Sequence, residues 1–357
     1  MIAVLGAGAM GVALATHLAR AGNNTVVLAT EHDHPVVQAW RQGAPHPALG
    51  VVLDRDIAII EPAGWETALA DADMVAVAVA SQGLQPVLSM AAPYVSQDAV
   101  WMLATKGWQT ETLRAPSEVA AAILGLAGSV VTLAGPGIAA EIVAGSPTAL
   151  LCASRDADAR RRVAQALSAP SMLVVTTSDV AGAETASAYK NVAAIAVGIA
   201  EGLSKRFIES AFVRAFANAR AAMFAQGMID MVHLAEARGG QASTVVGLAG
   251  SGDLYVTCVG GRNGRFGQLL GSGATPEQAL RSIGSTVEGV ANTAVALGLA
   301  DRYSIDLPTA RAVDMALHRH LTEEDGMEQM RRLFTTTLRS GSPQPDPYAG
   351  SDAIVGG

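Results

Sequence analysis

The chain is short of lysine and cysteine and has no long apolar run, and each shortage excludes something. Only three of its 24 basic residues are lysine: Lys106, Lys190 and Lys205. Two cysteines, Cys152 and Cys258, cannot build a disulfide framework, so a reducing compartment is expected. The longest apolar runs, such as Met74 to Ala80, fall well short of the ~20 residues that span a bilayer. No basic n-region or cleavage site opens the sequence, so a cytoplasmic location without membrane insertion is the expectation. Positive charge is also lacking: a formal net charge of -8 argues against a nucleic-acid-coating surface. Glycine and proline are scattered with no G-X-Y period, which excludes a collagen-like chain. What is present, 50% hydrophobic and 16% charged residues, supplies a packed core rather than a disordered chain. At 357 residues, about two domains are expected.

The first half alternates buried-strand segments with helical ones. Ile2 to Leu5, Val26 to Ala29, Met74 to Ala80, Val100 to Ala104, Val130 to Ala134, Ala149 to Ala153 and Met172 to Thr176 read as strands. Met10 to Arg20, Leu84 to Met90, Ser117 to Leu124 and Asp156 to Ser168 have helical spacing. Such alternation predicts a Rossmann-like, doubly wound, mostly parallel α/β sheet. Gly43 to Ile60 shows no period and is left unassigned. Ser178-Asp179 is an N-cap, and Val180 to Leu203 is apolar on every side, as a helix buried in the middle of the molecule would be. Glu209 to Gln226, Met228 to Arg238, Pro276 to Ile283, Val287 to Gly298, Leu307 to His318 and Thr322 to Arg332 also read as helices. The expected division is a dinucleotide-binding domain over 1–178, an all-α substrate domain over 179–339 and a mobile tail over 340–357.

Gly6-Ala7-Gly8-Ala9-Met10-Gly11 is a GxGxxG run between a strand and a helix, the context in which it binds a pyrophosphate. Glu31, just past the second strand, is placed to accept bonds from ribose hydroxyls and to repel a 2′-phosphate, favouring NAD over NADP. The neighbouring His32-Asp33-His34 cluster reads as a solvated loop rather than a metal site.

A chain that uses arginine for its generic cations keeps a lysine where arginine fails, and arginine cannot release its proton near neutral pH. Lys106 lies just past a strand's carboxyl end, where doubly wound sheets bind ligands. Lys190 lies inside the apolar helix, where lost hydration lowers an ammonium's pKa and suits it to exchange a proton with a carbonyl or alcohol oxygen. Asn191 is placed to hold a hydroxyl or phosphate. Asp253, in Gly250-Ser251-Gly252-Asp253-Leu254, is a candidate to pair with Lys190. Gly260-Gly261 lets Arg262 and Asn263 approach a phosphate.

With these residues in view, the sequence resembles the NAD(P)-dependent sn-glycerol-3-phosphate dehydrogenases. The matching runs are GAGAMG at 6–11, TKG at 105–107, GPGIAAE at 135–141, YKN at 189–191, GLAGSGDLYVTC at 247–258, GGRNGRFG at 260–267 and VEG at 287–289. The resemblance implies that Lys190 is the catalytic proton donor and acceptor, assisted by Lys106, while Lys205 has no catalytic role. It also implies that Gly135, Asn191, Asp253, Thr257, Arg262 and Asn263 line the substrate pocket. Glu288 and Ala139, with Lys106 and Arg262, are implied to meet the cofactor. The sequence departs from the bacterial pattern at Ala9-Met10, at Gly137-Ile138, in the short Asp253-to-Arg262 spacing, and at Glu31, where NADP-using members carry His or Arg.

The expected reaction is hydride transfer between NADH and dihydroxyacetone phosphate. Three alternatives stay open: action on another phosphorylated or phosphonylated ketone, a ketopantoate or 3-hydroxyacid-type dehydrogenase, and a protein that senses NADH without turnover. The expected partners are a small phosphorylated substrate and, at most, a second copy of the chain as a homodimer.

Overall fold

Eight short strands form one sheet in a computed structural model that describes residues 1–54, 56–125, 129–207 and 217–318. The strands are β1 (Ile2–Leu5), β2 (Thr25–Leu28), β3 (Ala58–Ile60), β4 (Met74–Val77), β5 (Val100–Leu103), β6 (Ser129–Ala134), β7 (Thr148–Ala153) and β8 (Met172–Thr177). Their spatial order is β3-β2-β1-β4-β5-β6-β7-β8. Every pairing is parallel except β6 with β7. Ile2 lies opposite Thr25 on one side and Met74 on the other. β1, β4 and β5 are buried throughout, which explains why they read as continuous apolar runs rather than alternating ones.

The helices of the sheet region are α1 (Ala9–Arg20), α2 (His34–Gln42), α3 (Trp65–Ala70), α4 (Ser81–Ala91), α5 (Pro116–Leu124), α6 (Ala139–Ala144) and α7 (Ala157–Leu167). The antiparallel pair, β6 and β7, is joined through α6.

The second half is helical among the described residues: α8 (Val180–Phe207), α9 (Ala217–Ala237), α10 (Ala242–Val246), α11 (Asp253–Gly260), α12 (Arg262–Gly271), α13 (Pro276–Ile283), α14 (Glu288–Tyr303) and α15 (Pro308–His318). As its composition predicts, α8 is central, with every residue from Gly182 to Ala200 buried. Asp179 Oδ1 caps it by accepting from Gly182 N at 2.8 Å, and its Oδ2 accepts from Gln241 N. Glu184 fastens α8 to the sheet region. Its carboxylate accepts from the backbone N–H and hydroxyl of Ser117 in α5 and from Thr132 in β6. Asp230 fastens α8 to α9 and α15, accepting from Tyr189 Oη, Gln226 Nε2 and Thr309 N at 2.7–2.8 Å. Burial pushes the Asp230 carboxyl up to about 7.

Helices α8 and α12 touch backbone to backbone. A Cβ on Gly198 or Gly202 would fall 2.1 Å from a carbonyl oxygen of α12. One on Gly267 or Gly271 would fall 2.1 or 2.2 Å from a carbonyl oxygen of α8. Only glycine permits this approach at all four positions.

The structure corrects several expectations. Residues 43–60 contain β3, a three-residue edge strand too short to show a period. The two helices expected on either side of Gly227 are one helix over the described part, α9. Gly227 does not break it, because its missing side chain makes room for Ala193 of α8, whose Cβ would lie 2.7 Å from a Cβ at 227. His32 and His34 are solvent-exposed as expected, but 31–33 form a 3-10 turn running into α2, and Asp33 in it bonds the glycine loop. The expected helix over 322–332, the tail and the start of the 209–226 segment lie outside the described residues.

Candidate active site

The glycine loop joins β1 to α1 at the carboxyl edge of the sheet. Gly6 has φ +99°, and a Cβ at Gly11 would lie 1.9 Å from the Gly6 carbonyl oxygen, so the tight turn needs both glycines. A Cβ at Gly8 would meet nothing within 4 Å, so space is open above the loop. Helix α1 starts at Ala9, and the N–H groups of its first turn, through Met10 and Gly11, have no intrahelical partner. Free amides, a positive dipole end and open space together fit the pyrophosphate of a dinucleotide.

Two residues to which the sequence reading gave no such role hold this loop. Asp33 Oδ2 accepts from Ala7 N at 3.0 Å and from the backbone and hydroxyl of Thr30 at 2.8 Å. His46 is buried; its Nδ1 accepts from Ala48 N and Leu49 N, so Nε2 carries the hydrogen and donates to the Ala7 carbonyl at 3.1 Å. Glu31, the expected ribose partner, is exposed and pairs with His32 at 3.7 Å. Glu31 lies 20 positions after Gly11 and Asp33 lies 22, so spacing alone pointed to Glu31.

The catalytic candidates converge on one carboxylate. Lys106 follows β5, Gly135 follows β6, and Lys190 projects from α8. Asp253 opens α11 after a widened helical turn over Leu248–Gly252, which Gly250 makes possible: a Cβ there would lie 1.9 Å from Val245 O. Asp253 Oδ1 accepts from Lys190 Nζ at 2.5 Å, and Oδ2 accepts from Lys106 Nζ at 2.7 Å. Lys106 also donates to the Gly135 carbonyl at 3.1 Å. Lys190 donates to Thr257 Oγ1 at 3.1 Å, and that hydroxyl donates in turn to the Asp253 carbonyl. Each ammonium has a third N–H with no protein partner among the described residues.

Lys190 is only 6% exposed, Asp253 2%. Burial is the main cause that brings the Lys190 ammonium down to about 8, and the Lys106 cation adds to it against the pull of Asp253. Glu288, at the start of α14, is raised by its burial, with Arg262 and then the two lysines working against that. Two ammonium groups sharing one carboxylate, with Arg262 beyond them, make a site that attracts an anion.

The remaining candidates frame this centre. Asn263 Nδ2 donates to Asn191 Oδ1 at 2.8 Å, Asn263 Oδ1 accepts from Gly289 N at 2.9 Å, and Asn191 Nδ2 donates to Glu288 at 3.4 Å. This chain ties α12, α8 and α14 together. Arg262 is exposed at the first position of α12, whose free first-turn amides lie beside it. Ala139 opens α6, which packs beside α1. A narrow cleft lined by Met10, Ala104, Lys106, Gly135, Gly137 and Ile142 lies between the start of α1 and Lys106. Lys205 is exposed and pairs with Glu201. No helix among the described residues is long and apolar enough to cross a membrane.

Residues 1–160 match the NAD-dependent glycerol-3-phosphate dehydrogenase N-terminus, and residues 179–328 match the C-terminus of the same family. The chain is 36% identical to glycerol-3-phosphate dehydrogenase [NAD(P)+] of Halorhodospira halophila over 95% of its length and 98% of the relative's. It is 35% identical to the Shewanella halifaxensis protein of that name, over 92% and 94%. The crystal structure of glycerol-3-phosphate dehydrogenase from Coxiella burnetii superposes with a TM-score of 0.81 at 30% identity, covering 93% of this chain and 98% of that one. Matched along both halves, the chain belongs to the NAD-dependent glycerol-3-phosphate dehydrogenase family.

Proposed function

We propose that the chain interconverts dihydroxyacetone phosphate and sn-glycerol 3-phosphate, with Lys190 as general acid and base. The observation that carries this reading is the Lys106–Asp253–Lys190 cluster, whose Lys106 also lines the narrow cleft that Met10 of the glycine loop lines. Bound NADH supplies the hydride to the ketone carbon. Lys190 aims its free N–H at the ketone oxygen, gives it a proton as the alkoxide forms, and takes that proton back in the reverse direction. A value of about 8 lets this amine do both near neutral pH. Lys106 keeps a positive charge beside the developing alkoxide. Arg262 and the free amides of α12 hold the phosphate and so fix the carbonyl in place. Asn191 and Asn263, bonded to each other, set the spacing of α8 and α12 around that phosphate.

The preferred dinucleotide is NAD. Asp33, fixed against Ala7, holds a negative charge at the loop, which suits ribose hydroxyls and opposes a 2′-phosphate. The two free cysteines suit a cytoplasmic setting.

The test follows NADH absorbance with dihydroxyacetone phosphate, unphosphorylated dihydroxyacetone and 2-ketopantoate. Rapid turnover of the first alone is expected. Equal or faster turnover of 2-ketopantoate refutes the phosphate-binding role of Arg262 and α12, and tight NADH binding without any turnover refutes the enzymatic reading.

A further inference from the structure

We propose that Asn292 is a positioning residue, which sets the distance between the two catalytic lysines by clamping the Lys106 loop to the Lys190 helix. The proposal rests on the catalytic reading of those lysines.

Asn292 lies one turn after Glu288 on α14 and is 2% exposed. Its amide uses both ends. Oδ1 accepts from Trp108 N at 3.3 Å, two residues past Lys106. Nδ2 donates to the Ala188 carbonyl at 3.1 Å, two residues before Lys190. One side chain thus bridges two backbone segments that come from opposite halves of the sequence. Gly107 lets the loop press onto this amide: its φ is +120°, and a Cβ there would lie 3.1 Å from Asn292 Oδ1. On the far side of the loop, Thr105 donates to the Val79 carbonyl at 2.8 Å. The Lys106 backbone is therefore held against the sheet by Thr105 and against α8 by Asn292.

The lysine separation has a chemical consequence. Lys190 faces Lys106 from the loop, Asp253 and the Cys258 thiol from α11, and Glu288 from α14; Arg262 of α12 acts on Glu288. Of these, Lys106 is the like charge that favours loss of the Lys190 proton. A loop that drifts away from α8 weakens that repulsion and also removes positive charge from beside the alkoxide. Both effects leave the phosphate contacts at Arg262 untouched.

The test compares Asn292→Leu, Gly107→Ala and Lys106→Met with the parent enzyme. The first removes the clamp at similar volume, and the second pushes the loop off an intact Asn292. Ketone reduction is followed against pH, with circular dichroism and melting temperature as folding controls. Lys106→Met moves the alkaline limb of kcat upward by about half a pH unit or more. Asn292→Leu and Gly107→Ala are expected to move it in the same direction, with kcat at least tenfold lower and KM for dihydroxyacetone phosphate within about twofold. If Lys106→Met moves the limb and neither clamp variant does while both stay folded, Asn292 has only a packing role and the proposal fails. If Lys106→Met itself leaves the limb in place, the catalytic reading of the lysine pair fails instead.

Discussion

Replacing Asp253 by asparagine keeps its size and removes the carboxylate that Lys106 and Lys190 share at 2.7 and 2.5 Å. In the parent enzyme, Lys190 stands at about 8 because Asp253 offsets part of the burial and of the Lys106 repulsion. At about pH 7.5, roughly three quarters of the molecules then carry the proton that ketone reduction consumes. Loss of a contacting opposite charge lowers an ammonium by roughly 1–3 pH units. Taking about 2, Lys190 in Asp253→Asn titrates near pH 6, and about 3% of the molecules stay protonated at about pH 7.5. Reductive kcat therefore falls about 25-fold at that pH and recovers near pH 5.5, where the protonated fraction again reaches about three quarters. The sign reverses for alcohol oxidation, which needs the neutral amine and gains at neutral pH. The assay is the pH dependence of kcat in both directions, monitored through NADH absorbance, with the melting temperature as a control. A well-folded Asp253→Asn enzyme whose reductive limb stays near pH 8 would refute the reasoning.

Two further substitutions probe other parts of the molecule. Asp33→Asn should lower the ratio of the NADPH to the NADH dissociation constant about tenfold, or ~1.4 kcal/mol; titration calorimetry reads it without turnover, and a larger effect from Glu31→Gln would show that the exposed carboxylate governs the choice. Glu184→Ala strips three donors of their buried acceptor and should cost about 2–4 kcal/mol of stability. Urea denaturation measures that loss, and a loss under about 0.5 kcal/mol would mean that α8 does not depend on this tie to β6 and α5.

The sheet was legible because β1, β4 and β5 are buried on both faces and write themselves as uninterrupted apolar segments, and because even β8, which exposes Leu173 and Val175, keeps an apolar run. Only β3 escaped, since three residues at a sheet edge carry neither a run nor an alternation. Lys106 and Lys190 stood out through the scarcity of lysine, and Asp253 through its setting of glycines. Residues that act by reaching across the chain left no such mark. Asp33 meets Ala7 across 26 positions, His46 meets it across 39, and Asn292 meets Trp108 across 184. No local spacing encodes a partner that far away. Gly227 shows the opposite failure, because a glycine that admits a neighbouring helix looks the same in a sequence as one that ends its own.

The seam of glycines between α8 and α12 limits how this enzyme can diversify. Lys190 and Asn191 stand on one member of the pair, Arg262 and Asn263 on the other. With main chain lying on main chain, there is nothing at the seam to trim or enlarge, and any added methyl group wedges both helices apart. Selection for a bulkier or smaller ketone has to act on the loops that follow β5 and β6, leaving the distance from amine to phosphate as inherited.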